Sequence, residues 1–200
     1  SGTFSTQTTY LTGTCPAEVA TADVNGDGKP DIIVVNYGSN NVGVLLNIGN
    51  GTFAAQTTYS VGSGSGPCYV ATADVNGDGK CDIIVANAAS NNASVLLNVG
   101  NGTFLTQTTY LTGSVPTCVA AADVNGDNKL DIIVANSGSN SIGILLNIGN
   151  GTFAAQATYS TGPGSVPYCV TAVDVNDNNK TDIIVANFGS NNVGVFLNYC

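Results

Sequence analysis

The sequence predicts an all-β fold: a four-bladed β-propeller of four-stranded antiparallel blades, closed by the N-terminal strand completing the last blade. Three observations predict it. An acidic stretch recurs four times, as "ADVNGDGKPD" from Ala22, "ADVNGDGKCD" from Ala73, "ADVNGDNKLD" from Ala122 and "VDVNDNNKTD" from Val173. Its first aspartates, Asp23, Asp74, Asp123 and Asp174, are spaced by 51, 49 and 51 residues, a period that belongs to repeat architectures. Finally, the fourth repeat stops after its third apolar segment, while Gly2–Tyr10, "GTFSTQTTY", matches Gly151–Tyr159 and is free to supply the missing strand.

Within one repeat four β-type segments follow in order. The first is small and apolar, "EVATAD" from Glu18 to Asp23, and the second is the β-branched run "DIIVVN" from Asp31 to Asn36. The third is "NVGVLLN", Asn41 to Asn47, and the fourth "GTFAAQTTYS", Gly51 to Ser60. The acidic loop, "YGSNN", the Asn50-Gly51 dipeptide and "VGSGSGP" separate them as turn signals. The second segment is apolar on both faces, so each meander needs cover on both sides, and neighbouring meanders supply it. Small inner-strand residues such as Ala20, Ala22, Ala71, Ala73, Ala120, Ala121 and Ala122 suit a crowded axis. The expected boundaries are one domain over residues 1–200, with blades at about 15–60, 66–110, 115–160 and 166–200 plus 1–10.

Charge is concentrated in the repeated loops. Of 13 acidic residues only Glu18 lies outside them, and all four lysines, Lys29, Lys80, Lys129 and Lys180, lie inside. A net charge of −9 with no arginine or histidine argues against nucleic acid, which needs clustered cations. No apolar run reaches the roughly 18 to 20 residues of a membrane span, so no membrane insertion is expected. Six cysteines, Cys15, Cys68, Cys81, Cys118, Cys169 and Cys200, contain no C-x-x-C pair and read better as disulfides in an oxidising compartment than as zinc ligands. Cys118 and Cys169 hold equivalent positions in adjacent repeats, with Cys15 and Cys68 near that level, but six cysteines do not fix their own pairing.

The first loop offers oxygens at position 1 (Asp23), 3 (Asn25), 5 (Asp27), 7 (the Lys29 carbonyl) and 9 (Asp31). Hard cations such as Ca²⁺ take six to eight such ligands. An EF-hand would need a bidentate glutamate at position 12, where this chain has Val34. The spacing D-x-N-x-D-G-x-x-D inside a repeat of about 50 residues, followed by "NYGSNN" or "NFGSNN", resembles the FG-GAP repeats of integrin α-subunit propellers and the related VCBS repeats. The resemblance covers the whole chain, although integrin propellers have seven blades. It implies calcium at Asp23, Asn25, Asp27, Lys29 and Asp31; at Asp74, Asn76, Asp78, Lys80 and Asp82; and at Asp123, Asn125, Asp127, Lys129 and Asp131. The fourth loop departs from it: Asp174, Asn176, Asn178, Lys180 and Asp182 hold the ligand positions, one carboxylate is missing, and Asp177 replaces glycine. Up to four Ca²⁺, the fourth held most weakly, would bring the charge from −9 to −1. The bland alternative is an Asx-rich turn without metal.

Catalysis is not expected, because Glu18 and Asp177 are the only acids left outside the ligand set and no pairing between them is visible. The sequons at Asn50, Asn101 and Asn150 read first as turn chemistry. Tyr10, Tyr59, Tyr110 and Tyr159 end the outer strands, with Tyr37 and Phe188 on loops; without tryptophan, packing is favoured over stacking on sugars. The expectation is an extracellular, calcium-stabilised recognition or adhesion module with a protein or glycan ligand, able to close on itself as a monomer, with an oligomer left open. The alternatives are a lectin-like carbohydrate binder and a purely structural repeat protein.

Overall fold

The computed structural model describes residues 2–199. In the first repeat β1 (Pro16–Ala22), β2 (Asp31–Asn36), β3 (Asn41–Leu45), β4 (Asn47–Gly49), β5 (Thr52–Phe53) and β6 (Thr57–Ser60) follow one another. Strands β1, β2, β3 and β6 pair antiparallel in that order, while β4 and β5 form a separate hairpin. The second repeat copies this with β7 (Pro67–Ala73), β8 (Asp82–Asn87), β9 (Asn92–Leu96), β10 (Asn98–Gly100), β11 (Thr103–Phe104) and β12 (Thr108–Leu111). The third has β13 (Pro116–Ala122), β14 (Asp131–Asn136), β15 (Ser141–Leu145), β16 (Asn147–Gly149), β17 (Thr152–Phe153) and β18 (Ala157–Ser160), with a 3₁₀ turn at Ser137–Ser139. The fourth consists, among the described residues, of the three strands β19 (Pro167–Val173), β20 (Asp182–Asn187) and β21 (Asn192–Phe196).

These four sheets, here called blades, stack in a row through their inner strands: β1 lies against β7, β7 against β13 and β13 against β19. The apolar "DIIV" runs explain the stacking, since alternate side chains of a strand point to opposite faces and both faces of β8 and β14 are buried. Three cores result, one at each junction. Ile33, Val35 and Val42 of the first blade meet Val70, Ile83 and Val85 of the second. Ile84, Ala86 and Val95 then meet Val119, Ile132 and Val134. The last core joins Ile133, Ala135 and Ile142 to Val170, Ile183 and Val185. The alanines of the inner strands are partly buried against these cores.

Two expectations need correction. The third and fourth segments of each repeat are not single strands. Asn47–Gly49 turns back on Thr52–Phe53 through Asn50 (φ +52°) and Gly51 (φ +71°), the two left-handed residues of a type I′ turn, and the outer strand proper starts only at Thr57. Nor does the N-terminal segment complete the last blade. Residues 2–10 form no strand, and Tyr10 packs edge-on against Phe53 of the first blade at 5.6 Å, so the segment is anchored at the other end of the row. The first and last blades leave apolar faces open: Val19 is 61 % exposed where its equivalents Val70, Val119 and Val170 are 4, 2 and 5 % exposed. Among the described residues the architecture is a propeller-like array with no closed sheet.

Candidate functional site

Each acidic loop links an inner strand to the second strand of its blade. Its position-9 aspartate is the first residue of that strand, as Asp31 opposite Ala22 shows. Positions 4 and 6 adopt left-handed backbone, with Gly26 and Gly28 both at φ +79°, a conformation that costs other residues more than glycine. This fold of the chain turns successive N–H groups toward the position-1 carboxylate. Gly26 N donates to Asp23 Oδ1 at 2.8 Å, and Gly28 N to Asp23 Oδ2 at 2.7 Å. Asn25 Oδ1 accepts from Asp27 N at 3.0 Å, and Asp27 Oδ1 from Lys29 N at 2.9 Å. The second loop repeats the set at Asp74, Asn76, Asp78 and Lys80, the third at Asp123, Asn125, Asp127 and Lys129.

The carboxylates therefore differ in kind. Asp23 is half-buried, and the N–H of Gly28 above all holds its carboxyl below the ordinary value. The Lys29 ammonium bonds Asp27 Oδ2 at 3.0 Å and lowers Asp27 in the same direction. Position 9 is buried: Asp31 Oδ2 accepts from Val24 N at 3.0 Å and Oδ1 from Asn47 N at 2.7 Å. In the second and third blades burial raises the equivalent Asp82 and Asp131. Position 9 thus ties the loop to its own blade.

Among the described residues no three carboxylate or cysteine side chains gather into a cluster that could hold a metal; the loop carboxylates are turned to their own N–H groups and lysines. The donor set nevertheless fits a hard divalent ion. Every side-chain donor at positions 1, 3, 5 and 9 is a carboxylate or amide, and a carboxylate oxygen accepting one N–H keeps a second lone pair. In each of the first three loops, three carboxylates face a single lysine.

The fourth loop differs visibly. Asn178 Oδ1 accepts from Lys180 N at 2.9 Å, as the position-5 aspartates do, but its Nδ2 donates to Asn198 O at 2.9 Å. With no carboxylate at position 5, Lys180 Nζ bonds Tyr199 O at 3.2 Å instead. Asp177 is held at φ +60° where the other loops have glycine.

One functional position escaped the sequence reading. Asn98, at the start of β10, donates Nδ2 both to Cys81 O of its own blade at 3.0 Å and to Val24 O of the preceding loop at 2.9 Å. Asn147 makes the same bridge to Leu130 O and Val75 O, and Asn198 to Thr181 O and Val124 O. The signal available was the asparagine that closes every "LLN" or "FLN".

Elsewhere Tyr59 and Tyr110 pack edge-on against Phe104 and Phe153 at 5.3 and 5.2 Å, so these tyrosines fill junctions between blades. Tyr168 and Phe188 form an exposed pair with ring centroids 6.2 Å apart. The thiols of Cys118 and Cys169 lie together, whereas Cys68 Sγ lies 3.3 Å from Pro116 O. No two described cysteines are bonded, and Cys200 lies outside the described residues. No described helix is long and apolar enough to cross a membrane.

A family profile described as an FG-GAP-like repeat matches residues 23–85, 74–134 and 123–185. No curated protein compared with the chain matches it. Among solved structures, a catalytically inactive virginiamycin B lyase from Staphylococcus aureus, bound to quinupristin, aligns with a TM-score of 0.61 at 17% identity over 90% of this chain and 51% of its own. An Agrocybe aegerita lectin that recognises non-reducing terminal N-acetylglucosamine aligns at 0.54 and 24% identity over 88% and 50%. The V. cholerae biofilm matrix protein Bap1 aligns at 0.53 and 21% identity over 84% and 23%. The chain spans about half or less of these proteins, and the likeness is one of fold.

Proposed function

The chain belongs to the FG-GAP-like repeat family, and from that premise we propose that it is a calcium-stabilised, propeller-like recognition module working outside the cell. The observation that carries the reading is the placement of charge: four loops in register hold twelve of the 13 acidic residues, with one lysine each. Asp23, Asn25, Asp27, the Lys29 carbonyl and Asp31 would hold the first ion, with the corresponding residues of the other loops holding the rest. The ion would supply charge neutralisation and a fixed loop shape, not reaction chemistry. Asp31 and its equivalents would pass that rigidity to the second strand, and the bridging asparagines to the next blade.

Thermal melting with calcium and with excess chelator tests the reading. Anything that binds only the folded state adds about 2.7 kcal/mol per site at a hundredfold excess over its dissociation constant, so calcium should raise the midpoint clearly. An unchanged midpoint would overturn the reading.

Carbohydrate is the second reading, favoured by the exposed Tyr168–Phe188 pair, since aromatic faces stack on sugar rings. Binding on a glycan array that Phe188→Ala abolishes would support it, and silence on the array would leave a protein ligand.

A further inference from the structure

We infer that two copies of this chain join head to tail, each lending its N-terminal segment as the fourth strand of the other's last blade. The argument rests on what the three internal junctions contain and the two ends lack. At every junction the trailing face of one blade meets the leading face of the next in a continuous apolar core. The fourth core exists in halves. Its leading half, around Val19, stands open on the first blade, and its trailing half stands open on the last, where Val193 is 65 % exposed while its equivalents Val42, Ala93 and Ile142 are 0 % exposed.

The polar groups are halved in the same way. Asn98, Asn147 and Asn198 each reach a carbonyl of the preceding blade, whereas Asn47 Nδ2 donates only to Pro30 O of its own, at 2.9 Å. The acceptors of that series are Val24 O, Val75 O and Val124 O. Val175 O is the equivalent carbonyl of the last blade. Set against each other, the two ends restore a fourth junction of the same composition.

The N-terminal segment fixes the occupant. Tyr10 already sits on Phe53 as Tyr59 sits on Phe104, which is the place of an outer strand belonging to a preceding blade. That blade must have a free third-strand edge, and β21 has one. The register follows from β15 and β18, where Ile142 faces Tyr159 and Gly143 faces Thr158; by equivalence Val193 should face Tyr10 and Gly194 face Thr9. Phe4, fully exposed in the single chain, is the counterpart of Phe104 and Phe153. It would enter the apolar cleft of about 710 Å³ beside Tyr159, Ile142 and Phe196 between the third and fourth blades. The four sheets described in each copy would together make eight, within the usual range of blades for propellers.

Sedimentation of the wild-type chain at micromolar concentration should give a dimer. Val19→Asp and Val193→Asp change side chains exposed in the single chain, so each should stay folded by circular dichroism yet dissociate about tenfold or more readily. Mixed together they should form a one-to-one heterodimer, because one intact head meets one intact tail. Amide exchange should show β21 protected in the wild-type dimer and open in both variants. A monomeric wild type would overturn the proposal, as would a β21 edge protected in a monomer, which means closure within one chain. A dimer that survives Val19→Asp would overturn it too, since tail-to-tail pairing does not use that face.

Discussion

The Sγ atoms of Cys118 on β13 and Cys169 on β19 lie 2.7 Å apart across the junction between the third and fourth blades, with no bond between them. The two hold the same register in their blades, Cys118 opposite Ala135 and Cys169 opposite Ala186. Oxidation by a small disulfide such as oxidised glutathione should join them, two thiols losing two protons and two electrons as the reagent is reduced to two thiols. Digestion without reduction should then yield one peptide pair linking residues 118 and 169. The bond closes a loop of about 50 residues and should stabilise the chain by about 2–4 kcal/mol. A bond formed instead between Cys15 and Cys68 would show that the inner strands are arranged differently.

Alkylation should follow exposure and thiol acidity. Burial pushes the Cys118 thiol up to about 12 and Cys68 to about 11, so both are almost wholly protonated and unreactive at pH 8, while Cys15 is exposed. In reduced, folded protein, iodoacetamide should label Cys15 first and Cys118 and Cys68 only on unfolding. Mass spectrometry of timed aliquots reads the order.

Asp177→Gly should stabilise the chain by about 1 kcal/mol. Asp177 sits at φ +60° in a place where Gly26, Gly77 and Gly126 occupy the other loops, and a left-handed conformation costs a side-chain-bearing residue about 1–2 kcal/mol, less for Asp than for most. Chemical denaturation in chelator isolates this backbone effect from metal binding. A lower midpoint would mean that the Asp177 carboxylate has a role that the loop geometry does not reveal.

Asn98→Ala and Asn147→Ala should each cost about 2–3 kcal/mol. Each side chain is buried and satisfies two carbonyls on different blades, and an unsatisfied buried acceptor costs about 1–3 kcal/mol. Urea denaturation of the variants should show the loss. A change under half a kcal/mol would mean that water replaces the amide at no cost.

The repeat, the strands that carry "DIIV" and the acidic loops were legible because each rests on local chemistry that recurs four times. The split of the outer segment was harder to read. Gly51–Ser60 has the composition of one strand, and only the pairing of Asn47 with Phe53 and Gly49 with Thr52 shows that its first part turns back. Asn98 was hidden by its residue type: asparagine after an apolar run reads as a turn, and its bond to Val24 O spans 74 residues. The closure was misjudged for a different reason. The likeness of Gly2–Tyr10 to Gly151–Tyr159 shows which strand position the segment fits, but strand pairing alone does not choose between a chain's own last blade and another copy's. Within each loop the carboxylates bond to loop N–H groups, a pattern that sequence spacing cannot distinguish from ligation.

Calorimetric titration of calcium into chelator-stripped protein tests the central claim most directly. The account predicts saturable binding of up to four ions per chain, with the fourth loop weakest because it presents two carboxylates where the others present three. Asn178→Asp should tighten that loop alone, returning a carboxylate to Lys180, while Asp27→Asn should weaken the first. Absence of saturable binding at millimolar calcium would contradict the account and leave the four loops as self-bonded turns.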